Sequence, residues 1–203
     1  MSVEALDRED RRELISLFVE AFREQPPLPS LRSNPKSLER FIEALYNFFT
    51  EADGSLIYGI RDGGRVVCAS LSKDSTRGPP AAALIQFVYS ITTALGWRGV
   101  RELEAVYREE PKFKGRYLEL ILFATHPAYQ RRGFGRKLLK FLHSKAEEWG
   151  YDGIILAAHP DTPAYQLYLK EGFVVEKELK AGGIRLCWMR LTTTNQQKKE
   201  SDF

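Results

Sequence analysis

The chain has 203 residues, and its 30 basic side chains oppose 27 acidic ones, which leaves a formal net charge of +3. Hydrophobic residues at 43% and charged residues at 28% are ordinary globular values, so the chain as a whole is not fibrous, disordered or embedded in a membrane. The charge is too evenly balanced for a protein that binds nucleic acid over its whole surface. Two cysteines, Cys68 and Cys187, are too few for a disulfide framework, and the chain shows no metal-ligand spacing. We therefore expect no metal site, and a cytoplasmic location because the first residues contain no apolar leader.

The twenty residues of the region 78–97 carry no formal charge, a length that a membrane-spanning helix would need. It opens with two prolines and contains Gln86, Ser90 and Thr92. A membrane-spanning helix needs about 20 predominantly apolar residues, and this region has fewer. The pattern favours a buried or groove-lining helix, and no membrane contact is expected.

In the N-terminal half, apolar periodicity and turn residues predict six elements. The Pro-rich stretch at 26–30 separates the first two helices, and Asp62-Gly63-Gly64 is a hairpin turn signal between two strands. In chain order, the predicted elements are helices at 3–24 and 36–52, strands at 55–61 and 65–72, and helices at 81–95 and 99–109.

The C-terminal half contains the clearest strand, at 116–125, whose nearly continuous apolar run indicates that both faces are covered. Thr162 is placed to cap a short helix, with Pro163 in its first turn and Gly172 at its end. The polar tail at 193–203 is predicted to be disordered, so residues 1–192 form one predicted domain. After the first strand, the predicted elements are a helix at 134–149, a strand at 153–158, a helix at 163–171, and strands at 173–180 and 184–191.

The stretch Gln130-Arg131-Arg132-Gly133-Phe134-Gly135 opens a helix directly after the buried strand. Glycines at a helix start let a ligand approach the backbone, and the free N–H groups there suit a phosphate. Residues 130–145 contain six basic side chains and no acidic one. A dinucleotide-binding fingerprint would need a third glycine where Leu138 stands, and a nucleotide-triphosphate loop would need a Gly-Lys-Ser/Thr sequence. A solvated basic helix face remains an alternative on this motif alone.

A second motif, Ala164-Tyr165-Gln166-Leu167-Tyr168-Leu169-Lys170-Glu171-Gly172-Phe173, follows at the appropriate distance. Together the two motifs resemble the GNAT (Gcn5-related N-acetyltransferase) superfamily, whose acyl-CoA motif is Gln/Arg-x-x-Gly-x-Gly/Ala and whose later helix commonly reads A-x-x-L-Y-x-x-x-G-F. The resemblance is strong over about 115–190 and rests on layout alone before that. It implies a three-layer α/β/α fold with a mixed, mostly antiparallel sheet that splays at the acyl-CoA site. The region 75–115 is then a helical insertion before the central strand, a layout most similar to the puromycin N-acetyltransferase-like group.

The resemblance also implies where acetyl-CoA binds as the co-substrate. Main-chain groups of the central strand would meet the pantetheine arm, and the glycine-rich turn would hold the diphosphate. Arg136, Lys137 or Lys140 would be available for the 3′-phosphate. Many relatives carry asparagine where this chain has Asp161, so a pantetheine contact there is in question, and Tyr165 could contact CoA or only pack. The implied cofactor residues are Phe123, Ala124, Thr125, Gln130, Arg131, Arg132, Gly133, Phe134, Gly135, Arg136, Lys137, Asp161 and Tyr165.

Two residues are the catalytic candidates. Glu119 interrupts an apolar strand, and a carboxylate in apolar surroundings has a raised pKa that suits a general base. Some relatives carry their base on this strand, although an outward-facing or salt-bridged Glu119 is the alternative. Tyr168 matches the family tyrosine that protonates the departing CoA thiolate, and a packed aromatic is its alternative.

The expected activity is transfer of an acetyl group from acetyl-CoA to a primary amine by direct attack. Aromatic residues of the insertion, Phe87, Tyr89, Trp97 and Tyr107, favour a small, partly apolar amine over a basic protein tail. A non-catalytic acyl-CoA-binding regulator and a protein or peptide N-acetyltransferase are the alternatives. Nucleic-acid binding through 131–145 is not expected, since those charges already have an anion to bind. The oligomeric state is left open between monomer and homodimer.

Overall fold

The structure is a computed structural model, and it describes residues 1–24, 26–181 and 183–194. The helices are α1 (Arg11–Phe22), α2 (Pro35–Thr50), α3 (Ala81–Glu109), α4 (Phe134–Glu148) and α5 (Pro163–Lys170). The strands are β1 (Val3–Ala5), β2 (Leu56–Asp62), β3 (Arg65–Asp74), β4 (Tyr117–Thr125), β5 (Gly153–Ala158), β6 (Val174–Ala181) and β7 (Ile184–Thr192). Within the described residues, no helix is both long enough and apolar enough to cross a membrane.

The seven strands form one sheet in the order β1-β2-β3-β4-β5-β7-β6. The pair β4–β5 is parallel and every other pair is antiparallel. Pairing between β4 and β5 runs from Tyr117–Gly153 to Leu120–Leu156, although β4 itself continues to Thr125. The sheet therefore splays beside residues 121–125, and the predicted mixed α/β fold is confirmed.

Each face of the sheet carries its own hydrophobic core. Helices α1, α2 and α3 cover one face, where Leu14, Phe18 and Ile42 are fully buried. Helices α4 and α5 cover the other face, where Leu138 and Leu142 are fully buried. The inward side chains of α4 recur at helical spacing, so this layer follows directly from the sequence period.

The N-terminus differs from the predicted helix at 3–24. Residues Val3–Ala5 pair antiparallel with Tyr58–Ile60 of β2, and α1 begins only at Arg11. The following residue, Leu6, is buried, and a Cβ atom at Gly59 would lie 2.5 Å from its Cδ1 atom. Glycine at 59 thus makes room for Leu6 beside the sheet. A long-range contact of this kind has no signal in the local periodicity.

The insertion before β4 forms α3, and a break at Gly96 divides this helix into two halves. The two halves correspond to the predicted helices at 81–95 and 99–109. Gly96 has φ 63° and ψ −178°, a combination that is essentially restricted to glycine. Phe87, Ile91, Ala94 and Leu95 are buried in the α1–α3 core. The insertion is therefore part of the core, and its deletion would remove packing as well as any ligand contacts.

The predicted disordered tail at 193–203 is corrected at its start. Thr193 is 1% exposed, and its hydroxyl donates to the carbonyl oxygens of Tyr151 and Asp152, each over 3.2 Å. Thr194 donates from its N–H and its hydroxyl to Glu147 Oε1. These bonds attach the end of β7 to α4. The rest of the predicted tail, 195–203, lies outside the described residues.

Candidate active site

The centre of the candidate site is the splayed part of β4. The register between β3 and β4 shifts at Ile121, because Leu71 pairs with Leu122 and Ser72 pairs with Leu120. Such a bulge inserts one extra residue and re-aims the side chains around it. Since β5 pairs with β4 only as far as Leu120, main-chain groups of residues 121–125 face the opening between the two strands.

The glycine-rich turn between β4 and α4 has the conformation of an anion-binding backbone loop. Arg131 has φ 61°, and Gly133, which precedes the first turn of α4, has φ 85°. Within the described residues, no side chain caps this helix, so its first N–H groups point out of the turn. Those N–H groups and the positive end of the helix dipole favour an anion here.

The turn is attached to the splayed strand by close contacts. Gln130 donates from its side-chain amide to the carbonyl oxygen of Thr125 over 3.3 Å. A Cβ atom at Gly135 would lie 3.3 Å from Thr125 Oγ1 and 3.7 Å from the Phe123 ring. The guanidinium of Arg132 lies 5.0 Å from the ring centre of Tyr129. The structure thus brings four of the implied cofactor residues close together: Phe123, Thr125, Gln130 and Gly135.

Tyr168 on α5 faces the same region of β4. Its ring packs edge-on against Phe123 with the ring centres 6.0 Å apart, and it is 4% exposed. Burial raises the pKa of Tyr168, and the nearby Cys68 thiol raises it further. The side chain is therefore a neutral phenol near pH 7, which is able to donate a proton or a hydrogen bond.

Other predicted cofactor residues have protein partners in this structure. Arg136 forms an ion pair with Glu171, and Lys137 donates to the carbonyl oxygen of Met1. Asp161 accepts from Arg185 over 2.7 Å, and the Tyr165 side chain packs against the α4–α5 core. Ala124 is buried in the α1–α3 core, so it offers the opening its main chain alone. Arg131, Arg132 and Phe134 stand at the turn itself.

Glu119 lies on the opposite face of β4 from Tyr168. Its neighbours Leu118 and Leu120 are buried in the α4–α5 core, and Glu119 points toward the α1–α3 side. The salt-bridged alternative considered for this residue is the arrangement that the structure shows, beside a largely apolar cavity. Lys73 of β3 places its Nζ atom 2.6 Å from Glu119 Oε2, and the Lys73 side chain is only 10% exposed. Glu119 is thus a carboxylate held in place by an ion pair.

A cavity of about 590 Å³ opens next to Glu119 and Lys73. Helices α2 and α3 supply most of its wall, and Phe48 stacks on Phe87 with ring centres 4.1 Å apart. Both halves of α3 contribute, on either side of the break at Gly96. Of the four aromatic residues that the sequence places over the acceptor, Phe87 and Tyr107 line this cavity, whereas Tyr89 and Trp97 are exposed.

The opening beside residues 121–125 and the cavity beside Glu119 both lie within the part of the chain that matches a known family. The model of the acetyltransferase (GNAT) family matches residues 12–173, a span that includes Glu119, the glycine-rich turn and Tyr168. The chain belongs to the acetyltransferase (GNAT) family. It is accordingly an acyl-CoA-dependent N-acetyltransferase, and the family predicted from the two motifs is confirmed. A search of curated proteins finds no significant match.

Solved structures with the same fold cover nearly all of this acetyltransferase. A histone acetyltransferase HPA2-related protein from Corynebacterium glutamicum has a TM-score of 0.63 and 24% identity over 95% of this chain and 96% of its own. The yncA protein of Salmonella typhimurium, solved with acetyl-CoA, has a TM-score of 0.55 and 18% identity over 95% and 93% of the two chains. Naa20 of Chaetomium thermophilum, solved with a bisubstrate analogue, has a TM-score of 0.58 and 16% identity over 98% and 90%.

Sequence reasoning missed two charged residues of the acetyltransferase cavity, Lys73 and Glu110. Lys73 directly follows the predicted strand at 65–72 and belongs to the longer observed strand β3, and Glu110 directly follows the long helix of the insertion. Neither position carries a motif. Successive side chains of a strand point to opposite faces, so Lys73 lies on the same face of β3 as Leu71 and not on that of Ser72. This alternation is the one local signal that could have identified Lys73.

Proposed function

We propose that this protein transfers the acetyl group of acetyl-CoA to the primary amine of a small molecule by direct attack. The observation that carries the proposal is the cavity of about 590 Å³ that meets Glu119 on the α1–α3 side of β4. Cavities of roughly 300–1,000 Å³ are typical of small-molecule sites. The acceptor would enter from that side, and acetyl-CoA would bind at the opening between β4 and β5.

Acetyl-CoA would be bound mainly by main-chain groups. The N–H groups after Gly133 would bind the diphosphate, and Arg131, Arg132 and Phe134 would surround it. The pantetheine arm would lie along residues 121–125 beside Phe123, Ala124 and Thr125. A main-chain N–H near the bulge at Ile121 would polarise the thioester carbonyl. Lys140 is exposed on α4 and remains the candidate for the 3′-phosphate, since Arg136 and Lys137 have partners in this structure.

In the proposed reaction, the amine nitrogen attacks the thioester carbonyl carbon, a C–N bond forms, and the C–S bond then breaks. Alkyl amines titrate near ~10, so the ammonium must lose a proton before attack at neutral pH. Glu119, directly or through water, would accept that proton, and Lys73 would hold the carboxylate in place. The second proton, which the nitrogen loses as it becomes an amide, would return through water to the phenolate that Tyr168 becomes when it protonates the sulfur. Without a residue in this role, the fraction of reactive amine near pH 7 is on the order of 0.1%.

The departing thiolate needs a proton, and Tyr168 would supply it. The thiol product titrates near ~8.5, whereas the pKa of buried Tyr168 lies above the ordinary tyrosine value. Proton transfer from the phenol is therefore favourable only as charge develops on sulfur, which describes a concerted step. Before that point the hydroxyl would stabilise the leaving sulfur by hydrogen bonding.

Protein and peptide acceptors remain an outcome of the test, because the family includes several acceptor classes. Membership of the puromycin N-acetyltransferase-like group, the cytoplasmic location and the monomeric or dimeric state stay predictions. The proposal is tested by thiol release from acetyl-CoA with a panel of small amines, aminonucleosides and peptides. Turnover with a small amine is expected; turnover restricted to peptides would contradict the proposal, and acetyl-CoA binding without any turnover would support the regulator.

Two variants test the proposed chemistry. Glu119→Gln and Tyr168→Phe should each lower kcat about 100-fold, the usual scale of a lost acid or base, while the dissociation constant of acetyl-CoA changes less than about twofold. Glu39→Gln and Tyr89→Phe are matched controls, since both residues are exposed and neither lines the cavity. A kcat within threefold of wild type for either test variant would exclude that residue from the proton transfers.

A further inference from the structure

The charged end of the cavity has an unbalanced negative charge. Glu110 and Glu119 each bring one negative charge and Lys73 one positive charge, so the formal sum is −1. Lys73 is paired with Glu119 at 2.6 Å. Among the residues that the structure describes, none forms an ion pair with Glu110. One carboxylate in the cavity wall is therefore left without a counter-charge.

The surroundings of Glu110 act against its negative charge. Glu110 is an exposed residue, so its loss of solvation is only partial; that loss raises its pKa, the nearby Glu119 carboxylate raises it further, and Lys73 lowers it. Loss of solvation, followed by the charges of Glu110 and Glu119, likewise raises the pKa of Tyr107, which is 47% exposed overall. A cation bound at this end of the cavity would relieve the repulsion between the two carboxylates.

The rest of the cavity is apolar. Its wall between α2 and the two halves of α3 consists largely of aromatic and aliphatic side chains, and Glu104 at its margin is itself 3.6 Å from Arg108. A second charge on the acceptor would lose its hydration there without gaining a partner, which is costly. The side chains that define this part are Phe48, Phe49, Phe87, Ile91, Val100 and Leu103.

From this division of the cavity we infer that the acceptor is a monoamine with an apolar body, and that Glu110 is the residue that selects its ammonium group. The ammonium lies beside Glu110 and Glu119, and the apolar body lies against Phe87 and the neighbouring side chains. This inference rests on the proposed function, because it takes the cavity as the acceptor site. Glu110 binds the charged form, and Glu119 then accepts its proton as attack begins.

A cavity of this kind should discriminate between acceptors that differ by one charged group. L-Phenylalanine is 2-phenylethylamine with an added carboxylate, and that carboxylate would lie close to Glu110. Among the described residues that line the cavity, the only cation is Lys73, which is already paired with Glu119. Spermidine has the ammonium group but would place further ammonium groups among apolar side chains. We therefore expect kcat/KM for 2-phenylethylamine to exceed that for L-phenylalanine and for spermidine by at least about tenfold.

The decisive experiment measures both KM values of wild type, Glu110→Gln and the control Glu109→Gln with 2-phenylethylamine and acetyl-CoA. Glu109 is the adjacent carboxylate, but it pairs with Lys177 and does not line the cavity. Glu110→Gln should raise KM for the amine about tenfold, as expected for loss of a charge partner in a binding site, and leave KM for acetyl-CoA unchanged. Glu109→Gln should leave both constants within twofold of wild type.

A second measurement separates charge recognition from a structural effect. Binding of 2-phenylethanol, the neutral analogue, is measured by its inhibition of turnover, and it should be equal in wild type and Glu110→Gln. An unchanged amine KM in Glu110→Gln, or a preference for spermidine or L-phenylalanine, would overturn the inference while leaving small-amine acetylation intact. Turnover with peptides alone would instead overturn the proposed function.

Discussion

The two faces of the sheet prepare the reaction in different ways. On the α4–α5 face, the candidate acetyl-CoA site consists of main-chain groups in one continuous segment, from the splayed strand through the turn at Gly133 to α4. On the α1–α3 face, the cavity consists of side chains from β3, β4, α2 and α3. A ligand recognised through backbone N–H groups tolerates wide variation in side chains, whereas a side-chain cavity changes with each substitution.

If the cavity binds the acceptor as proposed, this contrast would let one fold combine a constant co-substrate with variable acceptors. The helix start and the strand bulge depend on local conformation, which a few glycines and a register shift maintain. The cavity wall depends on an insertion whose break at Gly96 sets the direction of its second half. We therefore expect separable effects from three kinds of substitution. A buried position outside both sites should change stability alone, the cofactor side should change KM for acetyl-CoA, and the proposed acceptor side should change KM for the amine.

The largest effect is expected at Asp74, which holds together the ends of β3 and β4 far from the opening. Its carboxylate is 1% exposed and accepts from Arg116 over 2.7 Å and from the Thr76 hydroxyl over 2.7 Å. Asp74→Asn should lower the free energy of unfolding by about 2–3 kcal/mol, less than a fully buried pair would lose because Arg116 is half-exposed. Both KM values should stay close to those of wild type, because neither site contains Asp74.

The pH dependence of this variant provides an independent check. Burial raises the pKa of Asp74, but the hydrogen bonds from Thr76 and Arg116 outweigh it and hold the pKa below its usual value. A carboxylate of this kind stabilises the fold above its unfolded pKa and loses that contribution as the pH falls through its folded pKa. Denaturant titrations should show a smaller loss of stability on acidification below about pH 4 for Asp74→Asn than for wild type or for Asp53→Asn. Equal acid sensitivity of all three proteins would contradict this role.

On the cofactor side, Gly133→Val should raise KM for acetyl-CoA about tenfold and leave KM for the amine unchanged. Gly133 has φ 85°, and valine in the left-handed region costs about 1–2 kcal/mol, so the first turn of α4 must shift. Gly64→Val is the matched control, since Gly64 has φ 83° in the turn between β2 and β3 and equally open space around it. Both variants should lose similar stability; an increase in KM for acetyl-CoA in both would show that strain, and not the turn, is responsible.

The smallest effect is expected on the acceptor side, at the break in α3. Gly96→Ala places a Cβ atom on a backbone with φ 63° and ψ −178°, which should lower the free energy of unfolding by about 1 kcal/mol and the Tm by roughly 2–4 °C. Because both halves of α3 line the cavity, KM for the amine should change while KM for acetyl-CoA does not. Gly150→Ala, at φ 71° after α4, should cost similar stability without affecting the amine. An unchanged amine KM in Gly96→Ala would show that the break does not shape the acceptor site.

Elements that depend on consecutive residues were predicted correctly, whereas elements that depend on long-range contacts were not. The strand–turn–helix around Gly133 was predictable because a buried apolar run, a glycine-rich turn and an amphipathic period are consecutive in the chain. The break between the two halves of α3 was predictable from the same kind of signal. The strand Val3–Ala5 was not, because it exists only through pairing with β2 and the space that Gly59 leaves for Leu6. Thr193 likewise becomes ordered only through contacts with Tyr151 and Asp152.

By itself, the sequence determined the family, the mixed α/β fold and the position of the glycine-rich turn, since each depends on residues that are close in the chain. Only the tertiary structure decided the surroundings of Glu119. It pairs this carboxylate with Lys73, which precedes it by 46 positions, and places Glu110 in the same cavity wall without a counter-charge. Charge balance in a cavity is a sum over groups that folding brings together, and the order of residues along the chain does not contain that sum.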